Sequence, residues 1–382
     1  MKGFQNVPVY LTGEGIKRLS VGVENGRIAY IGEDASRIDA PIAVPEGCTV
    51  FPGFLDEHIH GAGGADAMDG TTASLATIAD RLAAEGVTAF LATTMTEREE
   101  KIVSALQNIG AYMAADRHEG ARVLGAHLEG PFIAEKFCGA QDPAFIRKPS
   151  VKLFEKFQRA ANGNVRMVTL APEEDAEGLV SFLAGKGITV SAGHSNAPYA
   201  CVEAAAGKGL SCITHTYNAQ RPLHHRDLGV SGAALAIDKL YAECICDTIH
   251  VSVPAIGLLY RNKPEGKFIL ITDAMRAKGL GDGESELGGQ KVIVQNGEAR
   301  LENGALAGSV LQMNRAIENL VNKCGVPPEN AVDCATIHPA RNLGLDKDRG
   351  SITLGKVADF AVMDKEFNVI LTVRDGEIIY RK

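Results

Sequence analysis

A (β/α)8 barrel carrying a small β-sandwich domain built from both chain ends is the fold that the sequence predicts. Three observations predict it. Apolar strand patterns alternate with helix-period segments through the middle of the chain, eight strands in all. Both chain ends are instead rich in hairpin signals. Six of the eight strand candidates deliver a histidine or a carboxylate at the end where barrel enzymes keep their chemistry. An open doubly wound sheet is the alternative, because counting strands does not show closure.

The elements follow in order. Residues 7–51 read as short strands with turns between them, and Val21–Ile31 alternates around Asn25-Gly26, a hairpin signal. The far end repeats the pattern around Asp375-Gly376. The two ends are therefore assigned to one small domain, residues 1–51 plus 345–382, and residues 52–344 to the barrel. Barrel strands are expected to begin near Val50, Val87, Val123, Val165, Ile188, Leu210, Tyr241 and Phe268. Apolar residues at i, i+3, i+4 spacing predict helices over Ala73–Ala84, Glu99–Ala114, Val151–Ala161, Ala176–Ala184 and Pro198–Ala206. The pattern is less clear between the sixth and eighth strands. A hairpin follows at Lys291–Leu301, then helices over Val310–Lys323 and Pro328–Ile337.

Composition narrows the function classes. The 382 residues carry a net charge of −8, whereas nucleic acid and anionic membranes reward a basic surface. No apolar run approaches the ~18 residues of a membrane span, and the N-terminus lacks a basic-then-apolar signal pattern. Eight cysteines without a Cys-X-X-Cys pair read as buried thiols of a reducing compartment. A cytoplasmic protein without nucleic-acid or membrane partners is the expectation.

The chemistry lies in what the strands deliver. Phe51-Pro-Gly-Phe-Leu-Asp-Glu-His58-Ile-His60-Gly61 places two imidazoles one residue apart, on one side of extended backbone. Alone, such a pair is as often a structural feature as a metal site. The third strand adds Glu129, the fifth His194, the sixth His215, the seventh His250 and the eighth Asp273. Imidazole and carboxylate together are the ligand set of zinc, iron, manganese or cobalt. Such a centre makes water nucleophilic at neutral pH, and hydrolysis then needs a group that moves a proton. Asp273 is the candidate for that step. His127, two residues before Glu129, is either a ligand or a supporting residue.

These motifs resemble a known family. Pro52-Gly-Phe-Leu-Asp56 with His58-Ile-His60-Gly61 is similar to the first strand of the amidohydrolase superfamily. More narrowly, His127-Leu-Glu129-Gly-Pro-Phe, Ala192-Gly-His194-Ser, Thr214-His215-Thr-Tyr-Asn218-Ala219, Asp247-Thr-Ile-His250 and Thr272-Asp273-Ala274 resemble its deacetylases of phosphorylated N-acetylhexosamines. The likeness extends through Leu306-Ala-Gly-Ser309 to Gly355–Val362.

The resemblance implies the barrel and two-ended β-domain, a homodimer, and one or two divalent cations per chain. It implies that Glu129, His194 and His215 hold one cation, that His58 and His60 complete a second site, and that Asp273 is general base and acid. For a phosphosugar substrate it points to Asn218, Ala219, Arg226 and His250. Where some relatives have Gly-Ala-His or Gly-Thr-His, this chain has Gly139-Ala140-Gln141, so a contact at Gln141 can donate a hydrogen bond but carries no charge. The implied reaction removes acetate from N-acetylglucosamine-6-phosphate, in amino-sugar catabolism and cell-wall recycling. The rivals are the galactosamine epimer, a cyclic amidase of the same superfamily, and a non-catalytic barrel. The cyclic amidases bridge their metals with a modified lysine after the fourth strand, where this chain reads Thr169-Leu-Ala-Pro172-Glu173. A non-catalytic barrel should have lost ligands, and none is missing here.

Overall fold

The computed structural model describes residues 1–115, 117–263 and 266–382. Its central sheet is eight parallel strands in sequential order: β1 (Phe54–Ile59), β2 (Val87–Thr94), β3 (Arg122–Glu129), β4 (Val165–Leu170), β5 (Thr189–Ala192), β6 (Cys212–Ile213), β7 (Tyr241–Ile245) and β8 (Phe268–Ile271). Nearly every residue of these strands is buried, as expected for a parallel sheet covered by helices.

The seam between β1 and β8 is closed by a carboxylate and by backbone. Asp56 accepts from the Thr272 amide at 3.3 Å and from its hydroxyl at 2.5 Å. The Asp273 amide donates to the His58 carbonyl at 2.8 Å. At the other end of the seam, the carbonyls of Ala335 and Cys334 accept from Leu55 and Leu270. The barrel is therefore closed by a segment from the C-terminal part of the chain.

Helices over Thr72–Ala83, Glu99–Ala114, Val151–Ala160, Leu179–Gly185 and Tyr199–Gly207 lie where the periodicity predicts them. The unclear region holds two more, Gly229–Ala236 and Val253–Arg261. Gly229–Ala236 is built from small residues, and its first six are buried, so it has no polar face to create a period. The helix expected at Pro328–Ile337 is two short helices, Pro328–Asp333 and Ile337–Asn342. The break between them frees the carbonyls of residues 334 and 335 to close the seam.

The first barrel strand also differs from expectation. Thr49–Pro52 belongs to the second sheet, pairing with Phe360–Met363 and meeting Val9, and β1 begins at Phe54. Pro52 ends one strand because it has no N–H. Gly53 turns the chain into the barrel with no room for a side chain, since a Cβ there would lie 2.4 Å from Thr88.

The second sheet unites both chain ends. Lys2–Leu11, Gly15–Glu24 and Arg27–Gly32 join Thr49–Pro52, Phe360–Met363, Val369–Arg374 and Glu377–Arg381. Phe4, Val21, Val50, Phe360 and Val373 form part of its own apolar core. Phe4 and Phe360 meet edge to face at 5.2 Å. A three-stranded sheet, Gly283–Leu287, Gln290–Gln295 and Glu298–Leu301, extends the hairpin expected after β8.

The seam yields a stability prediction. Thr272→Val keeps the shape but removes the hydroxyl bond to Asp56. A hydrogen bond to a charged group is worth about 1.5–3 kcal/mol, and the unfolding free energy from urea titration should fall by that amount with far-UV dichroism unchanged. A loss under about 0.5 kcal/mol would mean that backbone alone closes the barrel.

Candidate active site

The strand ends converge on a cavity of about 250 Å³ at the C-terminal mouth of the barrel. His60, Glu129, His194, His215 and Asp273 line its floor, and Gln141, Asn218, Ala219 and His250 line its sides. His58 lies beneath them, fully buried.

Glu129 stands at the centre, with a different imidazole pair at each carboxylate oxygen. Oε1 is 3.1 Å from both His194 Nε2 and His215 Nε2, which are 3.2 Å from each other. Oε2 is 3.2 Å from His60 Nε2 and 3.6 Å from His58 Nε2. Asp273 Oδ1 repeats those two distances, 3.2 Å to His60 and 3.6 Å to His58.

Three of the four rings are held from behind. His194 Nδ1 lies 2.8 Å from the Phe137 carbonyl, His60 Nδ1 3.3 Å from the Thr93 carbonyl, and His58 Nδ1 3.1 Å from Glu243 Oε2. These partners only accept, so each Nδ1 carries the proton and each Nε2 presents a lone pair inward. Lone pairs facing carboxylate oxygens repel unless a cation lies between them, and His58 Nε2 has no hydrogen-bond partner. The spacings also fit a cation. With bonds of about 2.0–2.2 Å, neighbouring ligand atoms of a tetrahedral or octahedral centre stand roughly 3–3.5 Å apart.

Electrostatics agree. Burial lowers the affinity of His60 for a proton, yet bonds to Asp273 and Glu129 raise its pKa to about 10. Burial pushes Asp273 up, but His58 and His60 outweigh it and hold the carboxylate at about 2. Glu129 is likewise held well below the carboxylate range, burial being outweighed by His58, His194 and His215. Both carboxylates favour positive charge on the His58 and His60 pair.

His127 supports the site without entering it. Its Nδ1 lies 3.2 Å from the Glu57 carbonyl and its Nε2 2.7 Å from the Thr169 hydroxyl, so both nitrogens are used. Burial and the neighbouring His58 push its pKa far down, which keeps it neutral.

The residues expected to face a substrate divide into two groups. His250 Nδ1 bonds Asp247 at 2.6 Å, which fixes the ring. Gln141 Oε1 accepts from the Thr96 amide at 2.8 Å, leaving its NH2 facing His194 at 3.3 Å. Arg226 is not brought to the cavity lining. It stands exposed on the loop after Ala219, with Nη1 2.8 Å from His225 Nε2.

Sequence reasoning did not assign Met95, Leu287, Leu306 or Gly308 to the site, where they form part of the wall. Leu306-Ala-Gly-Ser309 was already a recognisable motif, whereas nothing local marked Leu287 as reaching the barrel mouth. Glu243 was also missed, although a glutamate inside an apolar strand is a signal by itself.

The backbone at the site is unusual. His194 (φ 52°), His215 (φ 27°), Ala219 (φ 48°) and Asp273 (φ 46°) all have left-handed φ, which costs a non-glycine residue about 1–2 kcal/mol.

The chain belongs to the amidohydrolase family, whose family model matches residues 49–379. Within that family it is similar to N-acetylglucosamine-6-phosphate deacetylase of Bacillus subtilis (strain 168), at 40% identity over 98% of this chain and 96% of the relative. N-acetylgalactosamine-6-phosphate deacetylase of Escherichia coli O157:H7 is 36% identical over 83% of this chain and 84% of the relative. Among solved structures, the Mycobacterium smegmatis N-acetyl-D-glucosamine-6-phosphate deacetylase, a mutant in complex with N-acetyl-D-glucosamine-6-phosphate, superposes with a TM-score of 0.89. It is 30% identical and covers 99% of this chain and 98% of that one. Family membership implies a divalent metal, and the histidine and carboxylate groups here are suited to hold one.

A pH prediction follows for metal-free protein. The raised pKa of His60 contributes stability that is complete below about 6.5 and disappears as pH rises through about 10. The depressed pKa of Asp273 contributes stability present above about 3.8 and lost as pH falls through about 2. Thermal midpoints of chelator-treated protein should therefore decline from pH 6.5 towards 10, and added zinc should remove that decline. A flat profile over that range would show that His60 and Asp273 are not coupled.

Proposed function

We propose that the protein is a metal-dependent hydrolase that removes the acetyl group from N-acetylglucosamine-6-phosphate, giving glucosamine-6-phosphate and acetate. The observation that carries this reading is the carboxylate of Glu129 shared between two imidazole pairs, with Asp273 beside one of them. Likeness to deacetylases along almost the whole chain supports the substrate.

Glu129, His194 and His215 would hold one divalent cation, with His58 and His60 completing a second position that Glu129 bridges. Zinc, iron, manganese and cobalt all suit these ligands. A cation held there supplies positive charge that polarises the amide carbonyl and acidifies water.

The chain's own groups do the rest. Asp273, ionised at neutral pH, takes a proton from the attacking water. It then returns the proton to the amide nitrogen as the C–N bond breaks, so amine and acetate leave. Gln141, held by Thr96, offers an uncharged NH2 to the substrate from beside His194. Asn218, Ala219 and His250 line the wall across which the sugar would lie. The 6-phosphate is assigned to His250 and Arg226. Arg226 stands on a locally basic loop outside the cavity lining, so its contact requires the loop to close over the substrate.

The same reading makes the protein a cytoplasmic homodimer without nucleic-acid or membrane partners. Eight free cysteines suit a reducing compartment, and no described helix is long and apolar enough to cross a membrane.

Asp273→Asn tests the proton transfer. It should keep the fold and at least one cation while kcat falls about 10²- to 10⁴-fold. A loss below tenfold would assign the step to another group. Wild-type turnover compared on the two N-acetylhexosamine-6-phosphates decides the epimer, and a preference for galactosamine would replace the substrate named here.

Phosphate recognition has its own test. Arg226→Ala should lower kcat/KM for the phosphorylated sugar about 10- to 150-fold, the worth of a hydrogen bond to a charged group. It should leave the slow hydrolysis of unphosphorylated N-acetylglucosamine nearly unchanged. Equal losses on both substrates would make Arg226 structural.

A further inference from the structure

Below the cavity floor lies a carboxylate that the proposed chemistry does not use. Glu243, the third residue of β7, is fully buried and is not part of the cavity lining. A glutamate inside a parallel barrel costs several kcal/mol unless its oxygens are matched. One of them is matched twice. Oε2 accepts from His58 Nδ1–H at 3.1 Å and from the backbone N–H of His215 at 3.0 Å. The Glu243 carbonyl also accepts from the Thr216 amide at 2.8 Å, which ties β7 to the same turn.

The two partners belong to different halves of the centre. His58 stands on the Glu129 Oε2 side, and His215 on the Oε1 side. His215 needs holding more than most residues, because its φ of 27° is a strained left-handed conformation and its own Nδ1 has no hydrogen-bond partner. Behind Glu243 lies a second fully buried carboxylate, Glu57, whose Oε1 accepts from Asn342 at 2.8 Å. Glu243 Oε1 and Glu57 Oε2 have no hydrogen-bond partner among the described residues.

We propose that Glu243 is the positioning residue of the centre, one carboxylate oxygen setting the His58 ring and the His215 backbone together and thereby spacing the two cation positions. It touches neither substrate nor cation. It acts by keeping the His58 proton on Nδ1, so that Nε2 faces Glu129 and Asp273, and by pinning the turn that aims His215 at Glu129. This inference rests on the reading of the centre as a cation site.

The test uses the whole protein, stripped of metal and titrated with zinc against a chelating dye. Glu243→Met removes the acceptor at similar volume. Both stepwise zinc affinities should fall about 10- to 100-fold, the usual effect of removing a group that orients a metal ligand. Glu243→Gln keeps one acceptor oxygen and loses only the charge, so it should retain affinities within about tenfold of wild type. Cobalt-loaded protein should show an altered visible spectrum for Met and a near-native one for Gln.

Met affinities equal to wild type would overturn the proposal. So would equal losses for Met and Gln, because charge alone would then be the cause. Should Glu243→Met fail to fold, Glu243→Ala, which also removes the acceptor, compared in wild-type and His58→Gln backgrounds decides. Zinc-affinity costs that fail to add support the proposal, and fully additive costs overturn it. Wild-type protein that takes up no zinc would remove the function reading itself, whereas variants indistinguishable from wild type remove only this inference.

Discussion

Glu129 has two carboxylate oxygens, and each faces a different pair of imidazoles, at 3.1 Å on one side and at 3.2 and 3.6 Å on the other. Four rings and two carboxylates packed this closely would repel or stay solvated in an ordinary core. Here they are almost completely buried. The arrangement persists because each Nδ1 with a partner faces an acceptor, so the lone pairs have one place to point. A positive charge between them, proton or metal, turns repulsion into cohesion. Much of the mouth of the barrel is built to keep that geometry, from the Phe137 carbonyl behind His194 to the left-handed turn at His215.

The strand-end residues were legible in the sequence because of contrast. A histidine or carboxylate closing an apolar strand departs from what a buried strand needs, and six such departures on one edge point to one place. What contrast cannot supply is reach. Arg226 and His250 carry equally plausible chemistry, yet β7 delivers His250 to the cavity while the loop leaves Arg226 exposed. Glu243 shows the opposite case. It was a glutamate in an apolar strand, but its partners are His58 and His215, both distant in the chain, and no local pattern joins them. Gly229–Ala236 was illegible for a third reason: a helix of small residues buried nearly all round has no period to read. The start of β1 was misplaced by a few residues, because Thr49–Pro52 and Phe54–Ile59 form one apolar run that only Pro52-Gly53 divides between two sheets.

Backbone strain is concentrated where the chemistry is. His194, His215 and Asp273 have left-handed φ, each two residues past the end of a barrel strand. A strand that continued in extended backbone would carry its terminal side chain past the mouth of the barrel. A left-handed residue turns the chain at once and leaves that side chain over the axis. The cost of about 1–2 kcal/mol at each position is tolerable only because the barrel beneath is fully buried and hydrogen-bonded.

Closure of the barrel and assembly of the site are the same physical event. The bonds that join β1 to β8 run from Thr272 to Asp56 and from the Asp273 amide to the His58 carbonyl. These residues flank or include the groups assigned to cation binding and proton transfer. If the seam opened by one hydrogen-bond register, Asp273 would leave His60, from which it now stands 3.2 Å away, and the negative field holding the imidazole pair would weaken. Ser309 strengthens the link, because its amide donates to the Asp273 carbonyl and its hydroxyl to that of Thr272. The segment that carries Leu306 and Gly308 into the cavity wall therefore also clamps the end of β8. Substitutions at the seam should consequently change stability and turnover together, whereas those at the outer wall should change substrate binding with little effect on stability.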